Sequence, residues 1–152
     1  MTPEQAHAVH LAYDFLHQYW SCDGVGMVLP NAQFPQLIDG NLRASDDLAG
    51  TLAQVGKTPF DQVLNDLPER DEGYPPEPAT PMWQSTIDQL KYVRAHNWQR
   101  FPAPSSAYDE PTALRSSFNL LVALVIQFAA QTDRTPIQTV RLLRDVAAVD
   151  MR

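Results

Sequence analysis

Between Phe118 and Ala130 only Asn119 and Gln127 interrupt a run of apolar side chains. A helix that is apolar all round is normally buried on all sides. The run falls short of the roughly 20 residues a bilayer crossing needs, so it predicts a central core helix, over about 111–131, rather than a membrane span. No other segment is long enough either, and no membrane partner is expected. The remaining segments are one-sided. Ala8, Leu11, Ala12, Phe15, Leu16 and Tyr19 recur at helical spacing and predict a helix from Pro3 to about Trp20. Trp83, Ile87, Leu90 and Val93 do the same over 81–97. Val140, Leu143, Val146 and Ala147 give the inner face of a helix over 136–149, with Arg141, Arg144 and Asp145 turned outward.

Start and stop signals divide the chain further. Thr2-Pro3, Thr58-Pro59, Thr80-Pro81 and Thr135-Pro136 each place a capping residue before a proline that loses no needed donor. Thr2 and Gln5 form a capping box. Phe34, Leu37 and Ile38 predict one helical turn that Asp39-Gly40 ends. Ser45 then caps a helix through Asp46, Asp47 and Leu48 as far as Gly56. A short helix with Phe60, Val63, Leu64 and Leu67 inward follows, and the two make a hairpin about Gly56-Lys57. A brief strand is expected at Met27–Leu29. The proline- and charge-rich stretch 69–80 and the stretch 98–106 are loops. The expectation is an all-α, single-domain bundle of five to seven helices spanning 1–152 around the 111–131 helix.

Composition bounds the function classes. At 152 residues the chain suits one domain that folds without metal or disulfide. Its one cysteine, Cys22, excludes an internal disulfide and suits a reducing compartment. The N-terminus lacks a basic segment followed by an apolar run, so no signal peptide is expected and the location is read as cytoplasmic. Net charge is −7, which argues against nucleic acid, whose phosphates need clustered cations. The charge is uneven: residues 1–79 hold 12 acidic and 3 basic side chains, residues 80–152 hold 6 and 8. Such an imbalance suits a basic protein partner.

Four groups of residues are candidates for chemistry or binding. Asp61, Asp66, Glu69, Asp71, Glu72 and Tyr74 form an acidic, aromatic band, with Arg70 inside it, and are the expected partner-binding residues. His7, His10, Asp14 and His17 share an arc of roughly 80° on the first helix. The His10–Asp14 and Asp14–His17 spacings would let two side chains meet one ion. No second helix supplies matching ligands, so no metal and no cofactor is assigned. Lys91, Arg94, His96 and Arg100, beside Tyr92 and Trp98, would suit a phosphate or a stacked base. Cys22 follows a helix end and precedes Asp23, both of which oppose a thiolate. No nucleophile elbow, phosphate loop or dinucleotide fingerprint is present. The sequence therefore points away from an enzyme. It points toward a cytosolic, non-catalytic interaction module for a basic partner, an immunity or antitoxin protein being its concrete form. Metal or small-molecule binding at His10/Asp14/His17, and phosphate or nucleotide binding at Lys91/Arg94/Arg100, are the alternatives.

Overall fold

The computed structural model describes residues 2–21, 33–67, 80–98 and 110–151. Six helices make up these segments: α1 Pro3–Ser21, α2 Phe34–Gly56, α3 Phe60–Asn65, α4 Thr80–Ala95, α5 Glu110–Gln131 and α6 Pro136–Asp150. No strand occurs among the described residues, and the fold is an all-α bundle. The strand expected at Met27–Leu29, Cys22, and the loops at 69–79 and 99–106 lie outside the described residues.

Two of the predicted starts form as capping boxes. Thr2 Oγ1 accepts from the Gln5 amide at 3.2 Å, and Gln5 Oε1 accepts from the Thr2 amide at 2.9 Å. Thr135 and Gln138 repeat this at α6, at 3.2 and 3.0 Å. Each box satisfies two amides that the first helical turn leaves without partners. Thr58 does not cap α3. Its hydroxyl donates back to the Gly56 carbonyl, and Pro59 takes the N-cap position.

The main departure from the sequence reading is α2. It runs unbroken through Asp39-Gly40, where a stop was expected, and continues past Ser45, which was expected to be a cap. The cause is tertiary. Gly40 is buried where α1 crosses α2, and a Cβ there would collide with the Ala8 carbonyl and lie 3.3 Å from Ala8's neighbour on the same face, Ala12 Cβ. Glycine here permits a close helix crossing rather than a turn. Ser45 is fully buried in mid-helix. The helix ends at Gly56, and Lys57, not a glycine, adopts the left-handed conformation (φ 55°).

α5 is the core helix expected from the apolar run, and it packs against α2, α4 and α6. Leu120, Leu121, Leu124 and Val125 are fully buried, and Phe128 is half-buried. α2 shares the centre, since it touches α1, α3, α4 and α5. At 22 residues α5 is long and apolar enough to cross a bilayer by length and composition, which corrects the length estimate from the shorter run. Within the bundle, Ser116, Ser117 and Asn119 are buried along it, and Asn41 of α2 donates to Ser117 Oγ at 3.2 Å. Phe118 meets the rings of Phe15 and Tyr19 of α1 edge-on, at 5.3 and 5.5 Å between centroids. Such aromatic pairs add to the area they bury.

Candidate functional site

The polar arc of α1 is only partly open to water, with His7 exposed and His10, Asp14 and His17 half-buried. It lies along α6, which runs antiparallel to it. Asp14 Oδ1 is 3.6 Å from the Arg144 guanidinium. His17 sits between two arginines, with Arg141 Nε donating to His17 Nε2 at 3.1 Å and Arg144 3.3 Å from His17 Nδ1. At the far end His7 Nδ1 lies 3.3 Å from Met151 Sδ. Arg141 is exposed as expected and Arg144 half-buried, and both help to join α6 to α1. Partial burial first, then Arg144 and Arg141, hold the His17 imidazole below its ordinary pKa, against Asp14. A ring flanked by two guanidinium groups resists a third cation, so this arrangement disfavours a metal between His17 and Asp14. Among the described residues no group of three or more His, Cys, Asp or Glu is placed to hold a metal ion.

The basic and aromatic cluster of α4 is likewise engaged within the fold. Arg94 donates to Asp46 Oδ1 of α2 at 2.9 Å and lies 3.8 Å above the Phe60 ring of α3. The Trp98 indole N–H donates to Asp46 Oδ2 at 3.3 Å, and the Arg43 guanidinium stacks 4.3 Å from its ring. Arg43 is held in turn by both Asp39 oxygens, at 3.0 and 3.1 Å. Lys91 donates to Asn65, and His96 lies against the Tyr92 carbonyl and ring. Trp98 has φ 64°, uncommon for a bulky side chain, and the Asp46 and Arg43 contacts hold it there. Arg100 lies outside the described residues.

Of the six expected partner-binding residues, only Asp61 and Asp66 are among the described residues. Both are exposed on or beside α3, and Asp66 accepts from Gln62 at 2.7 Å. Glu69, Asp71, Glu72 and Tyr74 lie outside them.

A feature that sequence reasoning missed is a groove of about 220 Å³ between α2 and α6. Val9 and Tyr13 of α1 and Phe128 of α5 line it with Leu48 and Thr51 of α2 and Leu143 and Val146 of α6. Asp47 and Asp150 border it from the two sides. No protein-family model, curated protein or solved structure matches the chain. The functional reading therefore rests on geometry alone. Asp47 keeps a large exposed area, yet partial desolvation, then Asp46 and Asp150, hold its carboxyl above the usual range, while Arg43 and Arg94 pull it down. Burial, then Asp47, pushes the Tyr13 phenol far above its ordinary value, so it stays protonated.

Val146, expected to be buried, is 52% exposed on the rim, and Leu142 and Val149 are exposed beside it. A signal for this was present in the sequence. The apolar positions 140, 142, 143, 146, 147 and 149 cover more of α6 than one buried face accounts for.

Proposed function

We propose that the chain is a non-catalytic interaction module that takes a basic protein partner on an acidic surface, an immunity- or antitoxin-like role being its concrete form. One observation carries the reading. Two arginines of the basic half are engaged within the fold, Arg94 on Asp46 and Arg144 on Asp14, while Arg115 and Arg134 stay exposed. Asp47, Asp61, Asp66, Asp145 and Asp150 stay exposed and form no ion pair among the described residues. Among the described residues, carboxylates outside ion pairs thus outnumber cations outside ion pairs. Such a field speeds encounter with a basic partner and selects against acidic ones.

The test is capture on the immobilised chain, with the bound protein identified and its release followed against salt. A basic protein held at about 50 mM salt and released as the Debye length shrinks is expected. Changing Asp61, Asp66, Asp71 and Glu72 together to lysine should weaken capture at least tenfold. Indifference to both salt and the charge reversal would refute the reading.

A further inference from the structure

We propose that the α2–α6 groove is the anchoring seat for a basic amphipathic helix of the partner. The proposal rests on the reading of an acidic interaction module and assigns that module's contact surface. The groove has an apolar interior reached from the surface, with Val9, Leu48 and Phe128 among the side chains within it. Its volume, about 220 Å³, lies below the ~300–1,000 Å³ typical of drug-sized ligand sites. It suits one or two inserted side chains better than a whole cofactor.

Apolar surface continues outward from it. Val146 on the rim is flanked along the outer face of α6 by Leu142 and Val149, at i, i+4 and i+7, which are 43% and 62% exposed. Val55, one turn beyond Thr51 on α2, is 62% exposed as well. An elongated apolar strip of this kind matches a helix laid in a groove, read through side chains on one face.

The carboxylates decide which helix. Asp47 and Asp150 border the groove from opposite sides, and the Asp47 carboxyl is raised by partial burial first, then by Asp46 and by Asp150 across the groove. A lysine or arginine of the occupant placed between Asp47 and Asp150 would relieve their repulsion. Other charges act nearby. Arg43 and Arg94 reach the Asp47 field but are held by Asp39 and Asp46, and Arg144, near Leu143 in sequence, is held by Asp14. A second copy of this chain, itself at −7, would bring like charge to the same edge, and an anionic bilayer would do the same. An apolar helix carrying cations is therefore the occupant that both the walls and the rim favour.

The probe is an 18-residue helical peptide of leucine and lysine with the leucines on one face, and its glutamate counterpart is the control. Both are titrated into isotope-labelled chain, and amide shifts are followed by NMR at two salt concentrations. Expected are shifts around Asp47, Thr51, Val146 and Asp150, at least tenfold weaker binding in Val146→Asp, and at least tenfold weaker binding in Asp47→Asn with Asp150→Asn. Asp61→Asn with Asp66→Asn, which lowers the surrounding acidic field without touching the groove, should weaken binding less than the Asp47 and Asp150 changes do. Val146 is exposed, so its variant should keep the native spectrum away from the groove.

Shifts confined to α3, or equal affinity in all variants, would overturn the groove while leaving the acidic-surface reading standing. Equal binding of the glutamate peptide would overturn the assignment of a cation to Asp47 and Asp150. A dimer that Val146→Asp disperses would put a second copy in the groove instead. Absence of any binding by the lysine peptide, while a basic protein is still captured in a salt-dependent way, would overturn the groove alone.

Discussion

Gly40→Ala provides the most direct test of the α1–α2 crossing. A Cβ at Gly40 would meet the Ala8 carbonyl group, with its carbon only 2.6 Å away. Carbon–carbon contacts become favourable near ~3.5 Å, so the two backbones must part by at least about 0.9 Å, and the still nearer Ala8 oxygen demands more. The obstacle is backbone, which cannot swing aside as a long side chain can. Buried residues of both helices, such as Leu16, Leu37 and Leu42, belong to the same core. Overpacking of a closed core costs typically ~1–3 kcal/mol, and a rigid clash belongs at the upper end. Replacing a mid-helix glycine returns about 0.5–1 kcal/mol. The net expectation is a loss of about 2 kcal/mol, or a fall in Tm of roughly 4–8 °C for a domain of this size.

Gly50→Ala is the control. It lies in the same helix, but its nearest neighbour is the flexible end of Arg94 at 3.6 Å, an ordinary contact. It should stabilise by about 0.5–1 kcal/mol. Urea unfolding followed by circular dichroism at 222 nm measures both. Opposite signs are expected. A Gly40→Ala protein with native helicity and an undiminished midpoint would refute the close crossing, and with it the reason given for a helix that runs through Asp39-Gly40.

Ser45→Ala tests the same helix with a change of sign. As a cap, Ser45 would cost about 1 kcal/mol when replaced. As a fully buried hydroxyl without a hydrogen-bond partner, its removal should instead stabilise by about 1 kcal/mol in the same unfolding assay. Asp46→Asn should cost about 2 kcal/mol, because Arg94 and the Trp98 indole lose a charged acceptor. A double-mutant cycle with Arg94→Ala should return a coupling near 1 kcal/mol, and additivity would deny the pair. His17 favours its neutral form in the fold, so its share of stability is complete above its unfolded pKa near 6.5 and is lost as pH falls through the lower folded value. Between pH 7.5 and 5.5, Tm should therefore fall more in the wild type than in His17→Gln. Equal falls would exclude the arginine flank as its cause. Asp47 carries the opposite sign, since a raised carboxyl favours the fold as pH drops through its folded pKa toward the ordinary carboxylate value. Asp47→Asn should remove that acid-side gain.

How far the sequence could be read depended on whether a residue's role was local. The helix starts at Thr2 and Thr135 are decided within four residues; the Thr2 capping box forms as the spacing predicts, and Thr135, expected as a cap, forms one too. The buried faces of α3 and α4, with Val63, Leu64, Trp83, Ile87, Leu90 and Val93, follow from the 3.6-residue period alone. Gly40 and Ser45 carry local signals for a stop and a start that tertiary packing overrides, because α1 supplies what the local rule cannot contain. The candidate site shows the same divide. That Arg94 and Arg144 face partners on α2 and α1, and that Asp47 and Asp150 share one groove, depends on residues about 50 to 130 positions apart. No period or motif encodes those pairings.

The charge imbalance of the sequence therefore has two destinations in the fold, and they differ in how salt acts on them. Asp46 is 15% exposed where it receives Arg94, and Asp39 is 19% exposed beside Arg43. Ion pairs with one partner so far withdrawn from water are screened weakly. Asp61, Asp66 and Asp145 stand in solvent, where a Debye length of about 8 Å at physiological salt screens their fields. Raising salt should then leave the unfolding midpoint nearly unchanged while it releases a basic partner. A chain whose carboxylates served only to balance its own arginines would lose stability over the same range and would have no partner to release.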